Sequence, residues 1–247
     1  MKVDKLWENI FKYSEYEKGG EYSASDIIGD LLQVRLRKDN PNHDCTDYQY
    51  KISAFIGSAI HKHIEDWLEA ENAFEDTKMQ SEVKLKFRNI SGTADIIIDG
   101  NIILDWKSGK EQTIRKQILE VENKKPSKWQ QQLSIYSYLN HKQNKVEYGE
   151  YGYIAWLCVA NIKDEDKDKA KANEFNTQKH GVLKVPLLPK EETIALIREF
   201  LSEIEKPIDK MEQCDGCIYW KYKWCGVRDV CPKFGKDEAW EDKVEEW

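Results

Sequence analysis

The sequence predicts an α/β domain with a short appendage, and three observations predict it. Two β-branched runs, Ala94 to Ile98 and Ile102 to Trp106, flank Asp99-Gly100-Asn101 and read as a β-hairpin. Amphipathic helical patterns lie before and after that hairpin. Four of the six cysteines then crowd into the eighteen residues from Cys214 to Cys231. A chain of 247 residues is long enough for one such core.

Composition narrows the function classes. A net charge of -7, a pI near 5.4 and a mean hydropathy of -0.75 argue against a protein that coats nucleic acid, though not against an enzyme with a local basic groove. No run approaches the length of a membrane span, and the opening MKVDKLWENIFKYSEYEKGG lacks the apolar centre of a signal peptide. The expectation is a cytoplasmic protein with no membrane partner, in a reducing compartment where cysteines serve as ligands rather than disulfides. Nine Trp and twelve Tyr read as core before they read as base-stacking surfaces.

Leu6, Trp7, Ile10 and Phe11 predict a short amphipathic helix that Gly19-Gly20 ends. A second helix follows through Ile27, Ile28, Leu31 and Leu32, capped by Ser23 or Ser25. Residues 38–50 read as irregular. Residues 53–70 give the clearest helix, with Ile56, Ile60, Ile64 and Trp67 as its buried stripe; His61 and Glu65 border the stripe and His63 points to solvent. A histidine so placed is ordinarily a packed residue unless carboxylates converge on it.

In the hairpin, Asp105 and Lys107 lie two apart and share a face. A three-residue loop pairs Ile98 with Ile102 and brings Asp95 opposite Asp105; a two-residue loop would send the acids to opposite faces. The former is expected, with Gly100 at positive φ and a bulge. Two adjacent carboxylates on an apolar hairpin repel unless a cation lies between them, and hard oxygens suit Mg2+ or Mn2+.

Beyond the hairpin, Lys110, Arg115, Lys116, Lys124, Lys125 and Lys128 make a basic connection. It reads either as a cover that meets phosphates or as a solvated helix and loop. A helix over 128–140 sets Gln132 and Tyr136 one turn apart. Strands over 147–159 and 181–187 complete the sheet around a polar loop, and 190–204 form a further amphipathic helix. Cys214, Cys217, Cys225 and Cys231, spaced x2, x7 and x5, have the ligand density of a tetrathiolate zinc site or an iron-sulfur cluster. Cys158 reads as buried. The acidic end of the chain is a closing helix or a partner-binding tail.

The motif order is GSAIHKHIE with His61, SEVKL with Glu82, GTAD with Asp95, DWK with Asp105 and Lys107, and QLSIY with Gln132 and Tyr136, followed by the cysteines. Over roughly Ser23 to Cys231 this resembles the PD-(D/E)xK nuclease superfamily, in particular its RecB-like branch of CRISPR-associated exonucleases and the AddB nuclease domain. The resemblance implies a restriction-endonuclease-like core, a central mixed β-sheet flanked by helices, over 1–207, with a cysteine-cluster segment over 208–235 and an acidic tail over 236–247. It implies a divalent metal held by His61, Asp95, Asp105 and the Trp106 carbonyl. Lys107 would orient the attacking water, Glu82 would assist the metal, and Gln132 and Tyr136 would steady the lysine or contact DNA. Its iron-sulfur members carry one cysteine early and three late; SDIIGDLLQVRL has none and departs from that pattern, and a 4Fe-4S cluster is favoured over Zn2+ by the resemblance alone. The implied activity is a DNA exonuclease acting on single-stranded or free ends, in recombination, repair or CRISPR spacer processing, with adaptation or recombination proteins as partners and a phage or accessory element as a fitting source. A structure-selective endonuclease and a non-catalytic DNA-end adaptor are the alternatives. The adaptor gives no reason to keep a lysine beside two acids.

Overall fold

A computed structural model of the protein describes residues 20–43, 48–70, 78–160, 179–212 and 225–232. The helix expected near Leu6, the loop after 160, Cys45, Cys214, Cys217 and the acidic tail lie outside them. The chain divides into two units: Glu15–Ile28 with Ser53–Ile197, and a smaller one of Met1–Ser14, Gly29–Ile52 and Arg198–Trp247.

The larger unit holds a mixed sheet of six strands among the described residues: β1 (Tyr22–Ser23), β2 (Met79–Phe87), β3 (Ile90–Ile98), β4 (Ile102–Lys110), β5 (Tyr151–Ala160) and β6 (His180–Pro186). β2 runs antiparallel along all of β3, from Met79 opposite Ile98 to Phe87 opposite Ile90. The other edge of β3 is shared. β1 lies parallel to it at Ile90 and Ser91, and β4 antiparallel at Ile96 to Ile98. Residues 92–95 therefore lack a ladder partner on that edge among the described residues, and the sheet parts there. β4 pairs in parallel with β5, and β5 antiparallel with β6.

The expected hairpin loop is present. Ile98 pairs with Ile102, the Asn101 N–H donates to the Ile98 carbonyl, and Gly100 has φ +82. Parallel β4 and β5 require a long crossover. It is made by α4 (Glu111–Glu122) and α5 (Lys128–Asn144), taken in chain order after α1 (Ala24–Ile27), α2 (Leu31–Asp39) and α3 (Tyr48–Ala70), and before α6 (Lys190–Ile204).

α5 is capped by Ser127, whose Oγ accepts from Gln130 N, and every residue from Leu133 to Asn140 is buried. A helix apolar on one side only would not be buried all round; here Ser134, Ser137 and Asn140 supply the other side. Ser137 Oγ accepts from Gly149 N and Asn140 Nδ2 donates to the Gly100 carbonyl, so these polar groups are satisfied where they are buried.

Three elements depart from the sequence expectation. The helix expected through Ile27 and Leu32 is two: Ser23 caps α1 in a capping box with Asp26, and the chain breaks at Ile28 before Leu31 restarts it. The stretch over 38–50 is partly helical, since α2 runs to Asp39 and α3 begins at Tyr48. The stripe on α3 is not buried: Ile56 is 42% and Trp67 57% exposed, with Ile60 and Ile64 half-buried. Ile60 and Ile64 line a cleft rather than the core, and Ile56 and Trp67 are exposed.

The smaller unit has its own apolar cluster of Leu32, Leu36, Met211 and Val227, with Ile208, Cys225, Val230 and Cys231 packed on it. Arg35 ties α2 to the end of α6 through the Ile204 carbonyl at 2.7 Å. Among the described residues no helix is long and apolar enough to cross a membrane.

Candidate active site

The parting of β3 from β4 leaves Asp95 beside the start of the DWK segment. Its Oδ2 accepts the Trp106 N–H at 2.6 Å, so a side chain takes the place of the next ladder bond. Asp105 follows on β4 and is 3% exposed. Burial first, and the Asp105 charge second, push the Asp95 carboxyl up to about 7. His61 on α3 brings Nδ1 to 4.0 Å from Asp95 Oδ2. Burial lowers its pKa against the pull of Asp105, and Lys107 lowers it further. A neutral imidazole is the ligand form of histidine.

Lys107 Nζ donates to Gln132 Oε1 at 2.8 Å, and Gln132 Nε2 donates to the Tyr136 hydroxyl at 2.9 Å. One turn of α5 thus fixes the lysine. Lys107 Nζ also lies 2.6 Å from Asp105 Oδ2 and forms an ion pair with that buried carboxylate. Glu82 on β2 sits across from Asp95, between the Ser81–Ile96 and Val83–Ala94 pairs. Its φ of 47 is unusual for a strand residue and of the kind found at functional sites. Burial and the Glu65 charge raise its pKa.

The donor chemistry fits a hard divalent cation: two carboxylates that repel one another and an imidazole close by. Among the described residues no three His, Cys, Asp or Glu side chains already close on one ion. His61, Trp106 and Lys107 also border a cleft of about 250 Å3, walled by Ile60 and Ile64 of α3 and by Ala155, Leu157 and Val182 of the sheet.

All eight residues singled out around the metal site lie in the larger unit, and His61, Asp95, Asp105, Lys107, Gln132 and Tyr136 join one network of contacts. The basic residues of the connection are dispersed. Arg115 is held by Glu111 at 2.5 Å and Lys116 lies 3.9 Å from Glu120, while Lys110, Lys124, Lys125 and Lys128 are exposed. Cys225 and Cys231 are free thiols of the smaller unit, and Cys225 Sγ accepts from Gln33 Nε2 at 3.6 Å.

Gly92 escaped the sequence reading. A Cβ there would lie 2.6 Å from the Tyr136 ring, so its lack of a side chain is what admits the tyrosine. Its place in GTAD, three residues before Asp95, was the available signal.

Among solved structures, that of SSO0001 is 16% identical, covers 94% of this chain and 96% of its own, and superposes with a TM-score of 0.57, a likeness of fold. The alkaline exonuclease LHK-Exo from Laribacter hongkongensis is 8% identical over 76% of this chain and 89% of its own, with a TM-score of 0.42. Its complex with dAMP gives 11%, 77%, 90% and 0.41. No curated protein matches the sequence significantly. The sequence pattern of the PD-(D/E)XK nuclease superfamily, by contrast, matches residues 5–232, nearly the whole chain, with the acids and lysine of the hairpin inside the match; the chain belongs to that nuclease superfamily.

Proposed function

We propose that the chain is a Mg2+- or Mn2+-dependent deoxyribonuclease that shortens DNA from single-stranded ends. The observation that carries the reading is the pair of carboxylates Asp95 and Asp105, with His61 Nδ1 4.0 Å from Asp95 Oδ2 and Lys107 Nζ 2.6 Å from Asp105 Oδ2. Asp95, Asp105 and His61, with the Trp106 carbonyl, would hold the ion, which supplies positive charge to the phosphodiester and acidifies water. Lys107, fixed by Gln132, sets an ammonium where it orients the attacking water and offsets charge on the phosphoryl oxygens. Tyr136 fixes Gln132 in turn. Glu82 adds negative potential beside Asp95. Recombination, repair or CRISPR spacer processing in the cytoplasm would supply such ends.

Cys225 and Cys231, with Cys214 and Cys217, are assigned to a four-thiolate centre in this proposal, iron-sulfur before zinc. The apolar cluster against which the first two pack would shield it. Iron, sulfide and zinc analysis of the purified protein tests this, and the absence of all three ends the assignment.

Labelled single- and double-stranded DNA, incubated with Mn2+, Mg2+ or EDTA and either wild type or Lys107→Ala, tests the nuclease. Metal-dependent shortening lost in the variant is expected, and the labelled end gives the polarity. Folded wild type that cleaves no DNA in either metal overturns the reading.

A further inference from the structure

On β2 the side chains of Lys84 and Lys86 are exposed, while Leu85 between them is buried. Lys84 sits opposite Thr93 and Lys86 opposite Ser91. Strand alternation therefore puts both lysines on the sheet face that carries Asp95. They follow Glu82 at two-residue steps, each about 7 Å along the strand. Lys84 already acts electrostatically on the Glu82 carboxyl.

The row continues past the end of the strand. Arg88, at φ 55 in the β2–β3 turn, sets its guanidinium 5.4 Å from the centre of the Phe87 ring. By the same alternation Phe87 points to the other face, toward Tyr138 of α5, where the Lys142 ammonium lies 5.8 Å from the same ring and 5.5 Å from that of Tyr138. Two cations thus share one aromatic ring. Among the described residues none of Lys84, Lys86, Arg88 and Lys142 lies within ion-pair distance of a carboxylate, in a chain with seven more acids than bases (45 Asp+Glu against 38 Lys+Arg).

Lysines on an edge strand commonly guard it against pairing with another strand. Here the edge is closed by other means at these two residues: Gln143 Oε1 accepts the Lys86 N–H at 2.6 Å and Gln143 Nε2 donates to the Lys84 carbonyl at 3.1 Å. The guard role leaves the pair unexplained. Like charges gathered in a row gain from a polyanion of regular spacing, which releases its counterions on contact.

We propose that Lys84, Lys86 and Arg88 form a track for the phosphates of one DNA strand, leading to the site at Glu82 and Asp95. This rests on the nuclease reading and names the surface that holds its substrate. It also assigns phosphate binding to β2 and the β2–β3 turn rather than to the connection after Lys110.

The test uses the full chain with Ca2+ in place of the working ion. Anisotropy of a labelled oligothymidylate of about 20 nucleotides is followed from about 50 to 400 mM salt. Wild type is compared with Lys84→Gln/Lys86→Gln/Arg88→Gln, which changes exposed positions, and with Lys190→Gln/Lys206→Gln/Lys210→Gln, which changes the net charge equally elsewhere. Each phosphate contact on a single strand contributes about -0.7 to the slope of log K against log salt, so the first triple variant should flatten it by about 2. The second should leave it unchanged. Equal slopes in wild type and the first variant, equal flattening in both variants, or no binding by wild type would each overturn the track.

Cleavage separates this from the nuclease reading. The first triple variant should lose turnover of the long strand at high salt yet retain it on a trinucleotide too short to reach Lys86. A slope change with no cleavage of either substrate by wild type would leave the track standing and remove the nuclease.

Discussion

Gly92→Ala tests how the site is built, because space is all that opposes it. The new Cβ would lie 2.6 Å from Tyr136 Cε1, 3.1 Å from Cδ1 and 3.5 Å from Ala24 Cβ. Gly92 is not in the left-handed region, so alanine can take its backbone conformation, and the restricted unfolded chain returns about 0.4–1 kcal/mol. Overpacking of a close-fitting core costs about 1–3 kcal/mol. The net loss is about 1–2 kcal/mol, a fall in Tm of about 3–6 °C for a unit of this size. The ring must yield, and its hydroxyl is what Gln132 grips while holding Lys107. Turnover should therefore fall about 10–100-fold, as for other groups that orient a catalytic side chain. Thermal melts and kcat are measured for Gly92→Ala in the wild-type and Tyr136→Leu backgrounds. Without the ring the alanine should cost almost nothing, a coupling of the size of the overpacking itself. Equal destabilisation in both backgrounds would refute the reasoning.

Gln132→Leu should lower kcat about 10–100-fold with little change in KM, since it loosens Lys107 without touching the carboxylates; an unchanged kcat would remove Gln132 from the catalytic network. In metal-free protein the folded state keeps a proton on Asp95 that the unfolded chain has released, so stability falls as pH rises from the ordinary value of 3.8 towards about 7, by up to about 4 kcal/mol. Melts in EDTA should show that decline across pH 4 to about 7, saturating Mn2+ should flatten it, and Asp105→Asn should lessen it while burial still acts; a flat EDTA profile would contradict the raised carboxyl value. Glu111 is buried between Arg115 at 2.5 Å and Lys179 at 3.1 Å, and these cations hold its pKa down against the opposing effect of burial. Glu111→Gln should cost about 1–3 kcal/mol by leaving Arg115 poorly paired, and wild-type stability should decline as pH drops through the depressed carboxyl value; a neutral substitution would show the cluster to be ornamental.

The parts of this molecule that the sequence disclosed are those settled by neighbours in the chain. Asp99-Gly100-Asn101 dictates a turn by its own backbone preferences, and the hairpin loop is where the residues put it. The helix over 190–204 likewise follows from its own spacing. What the sequence withheld depends on where β3 shares its edge. Nothing in GTAD says that residues 92–95 have no strand on one side among the described residues, yet that gap is why Asp95 can take the Trp106 N–H and sense Asp105. The stripe on α3 failed for a related reason: periodicity shows which side of a helix is apolar, not whether that side meets a core or a cleft. The cations mislead in both directions. Lysines between Lys110 and Lys128 are conspicuous because they are adjacent, and two of the basic groups there are occupied by Glu111 and Glu120. Lys84 and Lys86 are inconspicuous because alternate lysines are what the wet face of any strand contains. They acquire meaning only when pairing with β3 sets that wet face in line with Asp95, so a charge pattern becomes a binding surface at the level of strand register, not of composition.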